Sequence, residues 1–236
     1  MMDNRKIGIA IPTYNRPDVT IEAFRNVVYD DRVSEITIVD DCSPEDFIWN
    51  LQSNAKNFNK VSVYVNPFNI DCFRNKKTSI FNSVSDWVIL FDSDNILSPL
   101  YIDRLFAIEK WEPNTIYTPF FAEPHFDFRA YSGLTITKEN VAEYIDKPMF
   151  ETMLNACNYF VNRNEYLRVW DGSVDPVTSD SVYVCLRWLE AGNKIQVVDG
   201  LQYYHRVWTE SHYQKNVNRT PVGFHQEVLN KLRQLK

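Results

Sequence analysis

Short apolar runs alternate with helix-spaced segments through residues 1–95, and three of the runs close in a polar turn. Residues 6–11 (KIGIAI), 35–39, 61–65 and 87–91 (WVILF) read as strands. Between them, residues 18–29 place Val19, Ala23, Phe24, Val27 and Val28 at helical spacing, and residues 44–54 and 74–83 follow suit. Ser43 is the expected N-cap of the second helix, with Asp46 in its first turn. The run 87–91 is unbroken and apolar on both faces, which suits a central parallel strand covered on either side. Strand–helix–strand alternation at this spacing predicts an α/β fold with a doubly wound, mostly parallel sheet and right-handed crossovers. In such sheets ligands sit in the crevice beyond the carboxyl ends of the strands.

The second half is less regular. Residues 100–109 are helical and stop before Pro113, 115–121 form a strand, and 123–134 read as an aromatic loop. Short helices are expected at 141–144 and 148–155, a strand at 158–162, and a helix at 181–191 ending at Gly192. Strands at 194–198 and 202–206 and a terminal helix over 223–236 complete the pattern. Only six glycines occur and no linker stands out, so 1–236 is expected to be one domain. With 44% hydrophobic and 14% aromatic residues, a large core forms without staples. A net charge of −6 argues against a nucleic-acid partner, which needs clustered Lys and Arg.

No apolar stretch reaches the roughly 20 residues of a membrane helix. The N-terminus has no signal-peptide core, so a soluble, cytoplasmic protein is expected, with peripheral membrane contact left open. Cys42, Cys72, Cys157 and Cys185 show neither CxxC nor Cys/His zinc spacing and read as reduced thiols, with Cys42 in a site loop.

Three polar turns and two later segments carry candidate chemistry. Asp92-Ser93-Asp94 follows the most apolar strand. If the chain stays extended there, both carboxylates share a face. Mg²⁺ or Mn²⁺ is commonly held by one or two carboxylates plus substrate phosphates. A solvated turn is the plain alternative, since Asp-Ser-Asp-Asn is good turn composition. Asp40-Asp41 ends the second strand. One of the two can face the site and accept from a base N–H or ribose hydroxyls. After the first strand, Pro12, Tyr14, Asn15 and Arg16 form a proline-bounded turn whose tyrosine can stack on a base. Arg74 opens a helix, where it and the helix N-terminus suit a diphosphate; Lys76 and Lys77 read as solvated. Asp180 precedes the helix holding Arg187 and Trp188 and suits a general base, although Ser179 and Asp180 are equally good N-caps. Asp175 is a second candidate base. His205 suits a third ligand for a metal such as Mn²⁺ beside Asp94 and Asp92, ahead of His212.

Taken in order, these runs resemble those of the GT-A glycosyltransferases of family 2, over about residues 6–211. The family's "PTYNR" run is Pro12 to Arg16 here, "VDDxS" is Val39 to Ser43, and "ARN" is Phe73-Arg74-Asn75. Its "DxDD" is Asp92 to Asn95, and its "ED" before a helix "RxxxxG" is Ser179-Asp180 with Arg187 and Gly192. Asn95 and Ser179 depart from that pattern.

The resemblance implies a GT-A fold and an inverting transferase. Tyr14 and Asp41 would hold the base, Arg74 the base or diphosphate, and Asp92 the ribose. Asp94 would hold the bridging metal, and Asp180 would take the acceptor proton. Residues 1–95 become a nucleotide-sugar donor half, 96–212 an acceptor half and 213–236 a tail. A UDP-sugar is the favoured donor and a glycan or lipid-linked hydroxyl the acceptor, with Phe120, Phe121, Phe126, Phe128, Tyr131 and Trp208 as a candidate acceptor wall. A nucleotidyltransferase would show a glycine-rich phosphate loop, and 12–17 contains no glycine. A non-catalytic nucleotide-sugar-binding protein would keep Asp41 and Asp94 and lose the base, so the presence of Asp180 favours an enzyme.

Overall fold

The computed structural model describes residues 4–207 and 216–236. Trp208 and His212 lie outside the described residues. Among the described residues, nine strands form one sheet in the order β3-β2-β1-β4-β8-β5-β9-β7, with β6 attached to β5. β1 (Ile7–Thr13), β2 (Val33–Asp40), β3 (Val61–Val65) and β4 (Trp87–Leu90) are mutually parallel. α1 (Pro17–Phe24), α2 (Glu45–Ala55) and α3 (Asp71–Asn82) make the crossovers between them. The apolar runs do what their composition requires: every residue of β1 is buried, as are Val88, Ile89 and Leu90 of β4.

Beyond β4 the sheet changes direction. β8 (Phe160–Asn162) is antiparallel to both β4 and β5 (Thr115–Glu123), while β5 pairs in parallel with β9 (Lys194–Tyr204). β6 (Phe126–Asp127) and β7 (Thr135–Ile136) are short additions. α4 (Pro99–Phe106), α5 (Val141–Tyr144), α6 (Phe150–Asn155), α7 (Arg163–Val169), α8 (Asp180–Glu190) and α9 (Phe224–Gln234) cover the sheet or pack on one another. This is the mixed, mostly parallel α/β sheet that the alternation predicts.

Several local expectations are corrected. Residues 194–198 and 202–206 are one strand rather than two. Gly200 bridges them at φ +73, where a Cβ would lie 2.5 Å from Arg104 Nε. α7 was not anticipated, although Asn162 caps it by accepting from the Glu165 N–H at 3.1 Å. Ser43 does not cap α2; Pro44 holds that position, and the serine hydroxyl turns back toward Asp40. In the aromatic segment Phe128 and Tyr131 are core residues, while Phe120, Phe121 and Phe126 are half-buried.

Candidate active site

Parallel pairing brings the carboxyl ends of β1, β2 and β4 to one edge of the sheet. The chain leaves β1 through Asn15 (φ 55) and β2 through Cys42 (φ 64), both in the left-handed region. A cysteine there is unusual, and such residues persist only where their surroundings over-determine them. Two bonds stitch the turns together: Asp41 N–H donates to Thr13 O at 2.9 Å, and Asn15 N–H donates to Ser43 Oγ at 2.8 Å. Pro12 is buried in β1 beside Val39, and Tyr14 is 43% exposed.

Asp40, the last residue of β2, and Asp41, the next, divide as strand alternation requires. Asp40 accepts the Ser43 N–H (2.8 Å) and hydroxyl (2.6 Å) and serves the turn. Asp41 Oδ1 accepts from Asn66 Nδ2 and from the Ile70 N–H, both at 2.9 Å. Burial pushes both carboxyls above the usual range, against the pull of those hydrogen bonds. Asn75, buried in α3, donates to Val39 O at 2.9 Å and accepts from Asn66 Nδ2 at 3.0 Å, so α3 is pegged to the end of β2.

The third turn is not extended, so the condition under which Asp92 and Asp94 would share a face is not met. Asn95 N–H closes it onto Asp92 O at 3.2 Å, and Ser93 is buried within it. The two carboxylates therefore part. Asp94 Oδ2 meets Arg16 Nη1 at 2.6 Å. Asp92 turns toward Lys76 Nζ at 3.5 Å and is gripped by Asn158, which accepts from the Asp92 N–H (2.8 Å) and donates to Oδ2 (3.0 Å). Burial raises the Asp92 carboxyl and Lys76 opposes it. Arg206 locks the turn from the far side, donating to the carbonyls of Asp94, Asn95 and Val19 and pairing with Glu22.

Lys76 overturns its reading as a solvated residue. Its side chain is 8% exposed, and its ammonium lies 2.8 Å from Asp180 Oδ2. Burial disfavours that charge, but Asp180 and Asp92 outweigh it and hold the ammonium well above the ordinary lysine range. Asp180, at the start of α8, also accepts the Ser181 N–H on Oδ1 at 2.8 Å. Ser179 caps nothing with its side chain; its hydroxyl bonds His225 Nδ1 at 2.8 Å, and His225 Nε2 meets Glu151 Oε1. Arg74 is 44% exposed and 3.7 Å from Asp175 Oδ2, which ties the second candidate base to α3.

His205 sits beside His125, Nδ1 to Nδ1 at 3.0 Å, and burial lowers its basicity. Among the described residues no three His, Cys, Asp or Glu side chains are arranged to hold a metal ion. Asp92 is engaged by Lys76 and Asn158, so the expected Asp92–Asp94–His205 set is not assembled. The donor chemistry fits a divalent ion that arrives with a diphosphate, which needs only one or two protein carboxylates.

Sequence reasoning missed Asn66, Asn158, Lys76 and Arg206, which hold the acidic residues rather than standing in the motifs.

The family model described as Glycosyl transferase family 2 matches residues 8–169, more than half of the chain. This chain belongs to that family. No curated protein sequence matches this glycosyltransferase. Among solved structures, S. aureus TarS 1–349 superposes with a TM-score of 0.67 at 14% identity, over 96% of this glycosyltransferase and 70% of TarS 1–349. A longer TarS structure is covered over 42% of its length. The mannosyltransferase PcManGT from Pyrobaculum calidifontis, solved with GDP-Man and Mn²⁺, gives 0.66 at 13% identity over 98% and 70% of the two chains. TarS 1–349 in complex with UDP-GlcNAc gives 0.67 at 15% identity over 88% and 60%. At such identities the likeness shows the fold, which this family 2 glycosyltransferase shares. Among its described residues no helix is long and apolar enough to cross a membrane.

Proposed function

We propose that this chain is an inverting glycosyltransferase that moves a sugar from a nucleoside-diphosphate donor, most simply a UDP-sugar, to a hydroxyl of a glycan or lipid-linked acceptor. One observation carries the reading. Lys76 joins Asp92, at the end of the donor strands, to Asp180, at the start of α8. Donor-side and base-side carboxylates thus share one buried cation.

In this reading Asp41 accepts from the base, and Tyr14 covers it from its exposed turn. Asp92 takes the ribose, while Asn15 and Arg16 frame the β1 turn and Ser93 supports the third. Arg74, partly exposed on α3, is available to the base or diphosphate. Asp180 accepts the acceptor hydroxyl proton as that oxygen bonds to the anomeric carbon. The bond from that carbon to the diphosphate oxygen breaks, and the nucleoside diphosphate leaves with its electron pair. Asp94, with His205 near it, would hold Mn²⁺ or Mg²⁺, which as a Lewis acid neutralises charge on the leaving diphosphate. Arg16, now on Asp94, must yield to that ion or share its anion. The neighbours' complexes with UDP-GlcNAc and with GDP-Man and Mn²⁺ support a nucleotide-sugar donor and a metal. The donor and acceptor halves, divided near residue 95, are part of the same proposal.

The test is thermal stability against UDP-, GDP-, dTDP- and CMP-linked sugars, with and without Mn²⁺. A ligand specific to the folded state adds about 2.7 kcal/mol at a hundredfold excess over its Kd. A metal-dependent shift for one nucleotide class supports the reading; no shift with any donor refutes it. Asp180→Asn should then keep the donor shift and lose transfer by roughly 10²–10⁴-fold, the usual contribution of a general base. Donor binding with no transfer in the unaltered protein would instead favour a binding protein.

A further inference from the structure

Lys76 occupies a position where an apolar residue would be expected. On α3 it lies three residues after Phe73 and four before Ile80, both buried in the core, so it is on the inward face of the helix. A lysine there is costly unless it is paired. Its three ammonium protons have three acceptors: Asp180 Oδ2 at 2.8 Å, Asp92 Oδ1 at 3.5 Å and Ser181 Oγ at 3.5 Å. A well-packed hydrophobic residue often matches or exceeds the stability of a buried ion pair, so stability alone gives little reason for this one.

The geometry points to Lys76 as a positioning residue for transfer, a buried cation that fixes the Asp180 carboxylate and ties it to Asp92 on the donor side. This rests on the transferase reading above. Asp180 and Asp92 come from elements far apart in sequence, α8 and the turn after β4. Without a cation between them the two carboxylates would repel, and one would take up a proton or turn away. With Lys76 in place, Oδ2 of Asp180 is held from α3 while Oδ1 is held by the Ser181 N–H. That fixes the plane of the carboxylate and leaves its remaining lone pairs for the acceptor proton. The thiol of Cys72, 3.9 Å from Asp180 Oδ2, also faces this group, and burial keeps that thiol protonated. The ammonium is fully used by its partners, so it orients the base and does not itself bind phosphate.

The experiment compares the unaltered enzyme with Lys76→Met and Lys76→Arg in steady-state kinetics. Lys76→Met should lower kcat about a hundredfold, the loss that about 1 Å of misplacement costs. Donor KM should change far less. Lys76→Arg should recover part of kcat, again with little change in donor KM. An unchanged kcat in Lys76→Met, or a fall in kcat that Lys76→Arg does not relieve, overturns the proposal.

Should Lys76→Met fail to fold, the ¹H–¹⁵N signal of the lysine ammonium decides. In the otherwise unaltered protein it should be protected from exchange, and Asp180→Asn should shift it and speed its exchange. An ammonium that exchanges freely, or ignores Asp180→Asn, overturns the pairing. Absence of transfer in the unaltered enzyme refutes the transferase reading instead, and the ammonium signal is read independently of activity.

Discussion

Replacing Asn75 with alanine removes the peg between α3 and the end of β2. Its side chain is 2% exposed, and it makes two good bonds, to Val39 O at 2.9 Å and from Asn66 Nδ2 at 3.0 Å. Each such bond contributes about 1 kcal/mol net. Val39 lies in the β1–β2 ladder, so its carbonyl is not stranded by the change. Asn66 keeps its bond to Asp41, so its donor is only half orphaned. The expected loss is about 1–3 kcal/mol, the worth of two such bonds, read in urea as a lower midpoint with unchanged m-value. Asn69→Ala is the control, because Asn69 is exposed, its amide donating to Asp41 O and accepting from the Asp71 N–H, both at 3.1 Å. Nucleotide affinity should fall in Asn75→Ala as well, since Asn66 is then free to swing from Asp41. A loss below about 1 kcal/mol, or one matched by Asn69→Ala, would refute the reasoning, because two buried hydrogen bonds together contribute at least about that much.

Asp41→Asn keeps both bonds on Oδ1 and removes only the charge. The folded carboxyl is raised by burial, so its stabilising share is present at low pH and is lost as pH rises through the folded value. The variant should therefore equal or exceed the parent in stability at neutral pH, converge with it in acid, and bind nucleotide less well. A variant that is less stable at neutral pH than in acid, relative to the parent, would contradict this. Arg206→Met removes donors from three carbonyls and the partner of Glu22. Bonds to a charged group are worth about 1.5–3 kcal/mol, so stability should fall by at least that, with donor KM raised through the loosened Asp94 turn. An unchanged KM would detach Arg206 from the site.

Residues 1–95 were legible because their signals are local. An unbroken apolar run such as Trp87–Leu90 can be little other than a buried strand, and a polar turn after it falls where parallel sheets open. What escaped the sequence depends on partners from other elements. Lys76 looks solvated beside Lys77, and only α8, more than a hundred residues later, supplies the aspartate that keeps it buried and charged. Asn158 was invisible for a topological reason. β8 runs antiparallel, so it brings its beginning to the edge where β1, β2 and β4 bring their ends. The shared face assumed for Asp92 and Asp94 failed because the turn bond from Asn95 curls the chain before Asp94. Gly200 fell between the strands expected at 194–198 and 202–206, yet it lies within one strand, where a glycine leaves room for the Arg104 side chain.

The parallel pairing of β5 with β9 has a consequence for how the chain is made. β1 to β4 are complete by Leu90 and can close on their own crossovers while the rest is still on the ribosome. β5 has no such partner at hand, because Thr115 must wait for Lys194. Until β9 emerges, only short β8 and β6 border β5, and an apolar edge bearing Phe120 and Phe121 stays open. Non-local pairing of this kind is slow and exposed to aggregation. Chains that stall or are cut before residue 194 should therefore be those that chaperones must hold, whereas the first ninety residues tolerate the delay.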